Sequence, residues 1–527
     1  MLPDNILLQV FELCRTDKNP SNWWHALVHV CRNWRQVIFA SPRRLDLQLL
    51  CTRKTPVRNT LGFWPAIPIA ICDRSSIDPT DEDNIFAALE YCNRIRKVSL
   101  KLTKAQLEKV AMAMQVPFPA LSHLRISLSH SRKYSLAPPS PSSESDVPSA
   151  GESPPDLPSV GESPPDLPSE DEYDVPSEDE YDVPSEDEYN MPSEDELPPN
   201  LPSEDESRRV FTLPDGFLGG NASTLQKISF TGIPFPALPA LLLSANNLIS
   251  LHLVGVFDLF APGTLVAGLA VTTRLEELFI DFDFDAFPLS QIPAAPPSRA
   301  VLPALTRFQF QGDETFLETL VAQIDCPRLR FIDLMYADEI DLFSELSQFI
   351  GRSEVFKATQ FTRARVDLDQ ISIELDTSRP EPHPRHIRVE FPHQAYEVRK
   401  TTRFLFPASA VLTTVHRLTV CHWGEKFQDM DIAEWIDFFR LFPAVETLIV
   451  GRKLATTIDS VLKESTAAGV LQALRFLSLD GPPTKSVLQF ISARKVSGYS
   501  VTLIETRPEE FEMRYKFEDR HTVNTFY

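Results

Sequence analysis

The chain has 527 residues, 43% of them apolar and 24% charged, with 51 Lys and Arg against 73 Asp and Glu and a formal net charge of −22. That apolar fraction supports a sizeable core, and the length suits one repetitive domain or a few ordinary ones. Seventeen glycines beside 45 prolines exclude a collagen-like or glycine-linker chain.

The charge is uneven. Residues 134–207 hold 23 Asp or Glu and no Lys or Arg, so the rest carries 50 acidic and 51 basic residues. The acidity therefore belongs to one segment, and no concentrated basic stripe suggests nucleic-acid binding. The seven cysteines are odd in number and never spaced as CxxC. With no basic-then-apolar leader at the start, they fit a reduced intracellular compartment, cytoplasmic or nuclear.

At the N-terminus, Ile6, Leu7, Val10, Phe11 and Cys14 share one face of a helix. Pro3 stands at its first turn, where a missing N–H costs nothing, and Asp4 suits the positive helix end. After a polar break at 15–22, the spacing of Trp24, Leu27, Val28, Cys31, Trp34 and Ile38 predicts a second helix. Two short helices cannot bury two such faces between themselves, so a partner or a neighbouring domain must cover the remainder.

Leu2-Pro3-Asp4-x-Ile6-Leu7-Leu8-x-Val10-Phe11 followed by Leu27-Val28-x-Val30-Cys31-Arg32-x-Trp34-Arg35 resembles the F-box, which opens on LP and an acid and closes on a V-C-x-x-W core. The runs Ser41-Pro42-Arg43-Arg44-Leu45-Asp46-Leu47 and Gln489-Phe490-Ile491-x-Ala493-Arg494 extend the likeness to F-box-like families of mushroom-forming fungi. The resemblance implies a substrate-receptor subunit of an SCF-type ubiquitin ligase. Its Skp-type adaptor, which links to a cullin and a RING subunit, would contact Leu2, Pro3, Ile6, Leu7, Val10, Val30, Cys31 and Trp34. The chain departs from the family in a longer link holding Trp23 and in Ser41–Arg44, where an aromatic is usual. The alternative is that this face caps the following domain.

From residue 95 a pattern apolar-x-x-apolar-x-apolar recurs. It starts at Ile95, Leu121, Leu225, Leu248, Leu275, Leu305, Leu329, Val415, Val445 and Leu474. Most steps are 23–30 residues. Removing residues 131–208 reduces the step of 104 to 26, and the step of 86 equals about three, with degenerate copies at Leu368/Ile371/Ile373 and Ile387/Val389/Phe391. This resembles a leucine-rich repeat: a short strand per unit, a return leg, and units that bury their faces only by stacking. The family's Asn or Cys ladder is absent (Ile233, Val256, Asp283 and Asp313 stand there), which implies an irregular horseshoe. The apolar, uncharged stretch 228–257 contains Pro234, Pro236 and Pro239, and reads as buried repeats rather than a membrane span.

Within the interruption, GESPPDLPS recurs at 151 and 161, and SEDE begins at Ser169, Ser177, Ser185, Ser193 and Ser203. Isolated apolar residues and recurrent proline predict disorder. Each of these serines has an acid at +3, as acidophilic kinases prefer; the alternative is a slippage repeat tolerated in a loop. Helices are expected at 105–114, 341–350, 433–442 and 486–495, the last stopped by Gly498, and a final strand at 501–505.

The expected organisation is thus α/β: a helical F-box-like module (1–47), a leucine-rich-repeat-like solenoid (48–130 and 209–506) split by a disordered acidic insert (131–208), and a charged tail (507–527). Side chains between the buried ones of each strand would line a concave face, with Glu277, Phe279, Arg307, Phe331, Asp333, Arg417 and Phe476 as candidates for holding a target protein. There is no glycine-rich phosphate loop, GxSxG elbow or Cys/His pair in a recognisable setting, so no catalysis and no cofactor are expected. His25 and His29 stand at i, i+4 without a third ligand, and His383, His386 and His393 read as a loop rather than a zinc cluster.

Overall fold

The computed structural model describes residues 3–14, 23–41, 49–51, 57–63, 66–72, 82–129, 213–255, 261–282, 299–336, 344–368, 372–377, 385–390, 412–421, 431–451, 469–479 and 483–505, with isolated residues between 454 and 462. All belong to one of the two units into which the chain divides, Met1–His130 with Val210–Tyr527; the other is Ser131–Arg209. The disorder expected at 131–208, its five SEDE serines and the tail at 507–527 lie outside the described residues.

Three helices open the chain: α1 (Asp4–Leu13), α2 (Trp23–Val28) and α3 (Arg32–Ala40). The single second helix expected over 24–38 is corrected here. Cys31 is extended (φ −157°, ψ 169°) and caps α3, its Sγ accepting from the Trp34 N–H at 3.5 Å, so the chain breaks after Val28. Leu7, Leu8, Phe11, Trp24, Val28, Val37 and Ile38 fill the space between the helices.

Among the described residues, the rest is a mixed α/β structure built on one large, mostly parallel sheet of sixteen strands. Its first strands are β1 (Leu49–Cys51), β2 (Ile69–Cys72), β3 (Ile95–Leu102) and β4 (His123–Leu128). Then come β5 (Lys227–Thr231), β6 (Ser250–Val254), β7 (Glu277–Asp281), β9 (Arg307–Gly312) and β11 (Phe331–Tyr336). β12 (Arg363–Asp367), β13 (Ser372–Asp376), β14 (His386–Glu390), β15 (Arg417–Cys421), β16 (Thr447–Val450), β17 (Phe476–Leu479) and β18 (Thr502–Glu505) complete it. A two-residue pair, β8 (Ala300–Val301) with β10 (Ile324–Asp325), stands apart.

All ten apolar triplets are buried, no member more than 5% exposed, and each lies on or just before a strand. The stretch 228–257 likewise divides between β5, a short helix α7 (Leu238–Leu242) and β6, and among the described residues no helix is long and apolar enough to cross a membrane. Parallel neighbours need a crossover of a dozen residues or so, and the 23–30-residue step supplies it. Several connections between strands carry helices: α4 (Val57–Phe63), α5 (Glu82–Leu89), α6 (Lys104–Ala113), α8 (Pro262–Leu269), α9 (Glu314–Gln323), α10 (Ser344–Arg352), α11 (Glu354–Lys357), α12 (Ile432–Arg440) and α13 (Lys485–Val496). Four of these match the helices expected from spacing. Phenylalanine fills the layer beneath the sheet: Phe235 meets both Phe217 and Phe230 edge to face, as Phe282 meets Phe310. Phenylalanine suits such a layer because it brings no hydroxyl that would need a buried partner.

The region between β11 and β15 departs from the expected regular copies. It does hold three strands, but the sheet order there is β11-β14-β13-β12-β15, with β13 antiparallel to both neighbours. Only residues 368–371 separate β12 from β13, too few for a crossover, so the chain must turn back on itself. The triplet expected at Leu368/Ile371/Ile373 accordingly does not form one strand: Leu368 follows β12, Ile373 lies on β13, and Ile371 lies outside the described residues.

Candidate interaction surfaces

Alternation along each strand divides its side chains between two faces. One set joins the helices in the core. The other lies on the opposite, more open face, where most side chains are half-buried or exposed. The register aligns this open face into rows running across the sheet. One row reads Ser250, Glu277, Arg307, Phe331, His386, Asp376, Arg363, Arg417, Thr447, Phe476 from β6 onward. The next holds His252, Phe279, Gln309, Asp333, Arg388, Glu374, Arg365 and Thr419.

All seven expected target-binding residues fall in these two rows, and most engage neighbours there. The Arg307 guanidinium lies 4.6 Å from the Phe331 ring centroid. On the opposite side Phe331 stacks on His386, centroids 5.1 Å apart. Gln309 Nε2 donates to Asp333 Oδ2 at 3.3 Å. His252 Nε2 stands 3.9 Å from Glu277 Oε2 and its ring is 5.7 Å from that of Phe279. The neighbouring His252, helped by Arg307, holds the Glu277 carboxyl below its ordinary range against the opposing effect of burial. Phe476 is 39% exposed, the most open aromatic of the group. Arg417 is half-buried on β15.

The reversed strands contribute charged residues that sequence reasoning missed. Arg388 Nε lies 3.7 Å from Glu374 Oε1, and Arg365 Nη2 lies 3.9 Å from Asp367 Oδ2. His386, read as part of a loop, is instead the first residue of β14. Burial lowers its pKa, although Glu374, Asp333 and Asp376 pull the other way. The signal was present as plain alternation, HIRVE and SIELD, but not as the triplet that marks the other strands. Among the described residues no group of three or more His, Cys, Asp or Glu is placed to hold a metal; His383, His393 and the side chain of His25 lie outside them.

On the helical module the expected adaptor residues separate by exposure. Ile6, Val10 and Val30 are 37%, 39% and 58% exposed. Pro3 and Cys31 are also exposed. Leu7 is buried, and Trp34 is half-buried against Phe11, ring centroids 5.0 Å apart. Leu13, not singled out by the motif, is 85% exposed beside them in sequence. Leu2 and the stretch 42–48, including Pro42–Arg44, lie outside the described residues. No protein-family model and no curated protein matches this chain.

Proposed function

We propose that this protein is a non-enzymatic substrate receptor of an SCF-type ubiquitin ligase, and therefore intracellular. The three-helix module, read as an F-box, docks a Skp-type adaptor, and the sheet domain, read as an irregular leucine-rich-repeat solenoid, holds the protein to be ubiquitinated on its open face. The observation that carries this reading is the exposure of Ile6, Val10 and Val30, with Leu13, on a module whose inner side is already filled. Apolar side chains left in water beside a packed core mark an interface. Ubiquitin transfer itself falls to partner subunits.

The test is co-expression with a Skp-type adaptor. Wild type should co-purify with it, and Ile6→Asp/Val10→Asp/Val30→Asp should not, with an unchanged melting curve. In the complex the exposed Cys31 thiol, next to Val30, should react with a thiol reagent more slowly than in the free chain. Equal adaptor recovery from both proteins would sink the proposal. A second reading, in which the module is only a cap, is favoured by one fact: its buried residues join those of the first strands in one continuous core. Under that reading the adaptor does not co-purify at all.

A further inference from the structure

The outward positions of β3, β4 and β5 differ from the rest of the open face. Register sets Lys97, His123 and Lys227 side by side in one row, and Arg125 between two serines in the next. Lys101 begins a third row and is followed by Ser127 and Thr231. These nine positions hold four permanent cations, one histidine and four hydroxyls; none is acidic or apolar, and none is Phe, Tyr or Trp. Lys101, Arg125 and Lys227 are exposed. The grid is bounded: Ala70 is buried on β2, and the first carboxylate along the top row is Glu277 on β7.

We propose that this grid docks an acidic, extended segment of a partner protein. Strands about 4.8 Å apart and alternate residues about 6.6 Å apart give a surface of roughly 10 by 13 Å. A peptide laid along the strands has the same repeat of about 6.6 Å between its own alternate side chains, so carboxylates on one of its faces meet Lys97 and Lys101, or Arg125, in step. The hydroxyls of Ser99, Ser229 and Thr231 supply donors to the remaining carboxylate oxygens, while that of Ser127 donates to the Leu100 carbonyl. Single-stranded nucleic acid fits less well, because its grip comes from a run of aromatic rings on which successive bases stack, and the grid offers only the His123 imidazole. The inference rests on the receptor reading only in taking the segment to be part of the target protein.

The test uses the full chain and a fluorescein-labelled ten-residue peptide of Asp, Glu and Ser, followed by anisotropy, with an Asn/Gln/Ser peptide as control. The acidic peptide should bind, more weakly as salt rises. Lys97→Glu/Arg125→Glu/Lys227→Glu should weaken it by about tenfold or more, and Lys485→Glu, an exposed cation on α13, should not. Should the triple variant fail to fold, Lys101→Gln/Lys227→Gln removes charge without reversing it and should weaken binding in the same direction. Equal affinity of wild type and grid variants, or equal binding of the neutral peptide, would overturn the proposal. So would equally tight, grid-dependent binding of single-stranded RNA, or peptide binding seen only after residues 134–207 are removed. Absent peptide binding with adaptor capture intact defeats this proposal alone; absent adaptor capture with peptide binding intact defeats only the receptor reading.

Discussion

Phe331 stands between a guanidinium and an imidazole, with Arg307 over one face and His386 stacked on the other. His386 is held with a lowered pKa by burial. The unfolded chain takes up a proton near the ordinary value of 6.5 while the folded chain does not, so stability falls as pH drops through that value. Wild type should therefore lose stability between pH 7.5 and 5.5, and His386→Gln should lose less over that interval in urea titrations. A parallel pH response in the two proteins would show that this imidazole is not held neutral. Arg494 is another residue whose meaning came from its surroundings. Its Nη2 donates to the Leu471 and Gln472 carbonyls at 3.0 and 2.9 Å, and its guanidinium lies over Tyr499. The motif at 489–494 thus fastens α13 to the preceding turn. Gly498, expected as the helix stop, has φ +87°, a conformation glycine adopts without penalty.

Helix ends were readable where a side chain reaches its own backbone. Thr103 with Gln106 on α6, and Asp431 with Glu434 on α12, form reciprocal capping boxes, a pattern visible as a short spacing. Packing between return legs was not readable. Gly268 on α8 sits so near α7 that a Cβ would meet the Pro239 carbonyl oxygen at 2.9 Å. Gly268→Ala should destabilise by about 1–3 kcal/mol. Gly351→Ala on α10, where a Cβ meets nothing within 4 Å, should stabilise by up to about 1 kcal/mol. Denaturant midpoints measure both, and a harmless Gly268→Ala would refute the close approach.

β4 and β5 pair directly in parallel although 98 residues of chain, 129–226, lie between them. Thr224 Oγ1 also donates to the Leu121 carbonyl at 2.8 Å, closing the same step as its neighbours. Excising residues 134–207 shortens the connection between Ser129 and Leu213 by about three halvings, each worth about 0.6 kcal/mol in loop closure. The shortened protein should melt cooperatively and be up to about 2 kcal/mol more stable; a loss of stability would show that the acidic segment contributes to the fold.

Apolar spacing alone located every strand that carries the triplet, because a buried period-2 face leaves the same signature wherever it occurs. Composition alone likewise placed the −22 charge in one segment and left a near-neutral remainder. Three features needed the folded chain. The reversal of β12 to β14 depends on a four-residue turn that closes only antiparallel. The division of the N-terminal motif into buried Leu7 and exposed Ile6, Val10 and Val30 depends on which helix faces meet. The rows of the open face depend on register, which brings Lys97 and Lys227, or Phe331 and His386, together from distant parts of the chain. Burial is written locally in a sequence, whereas adjacency across a sheet is set by how strands pair.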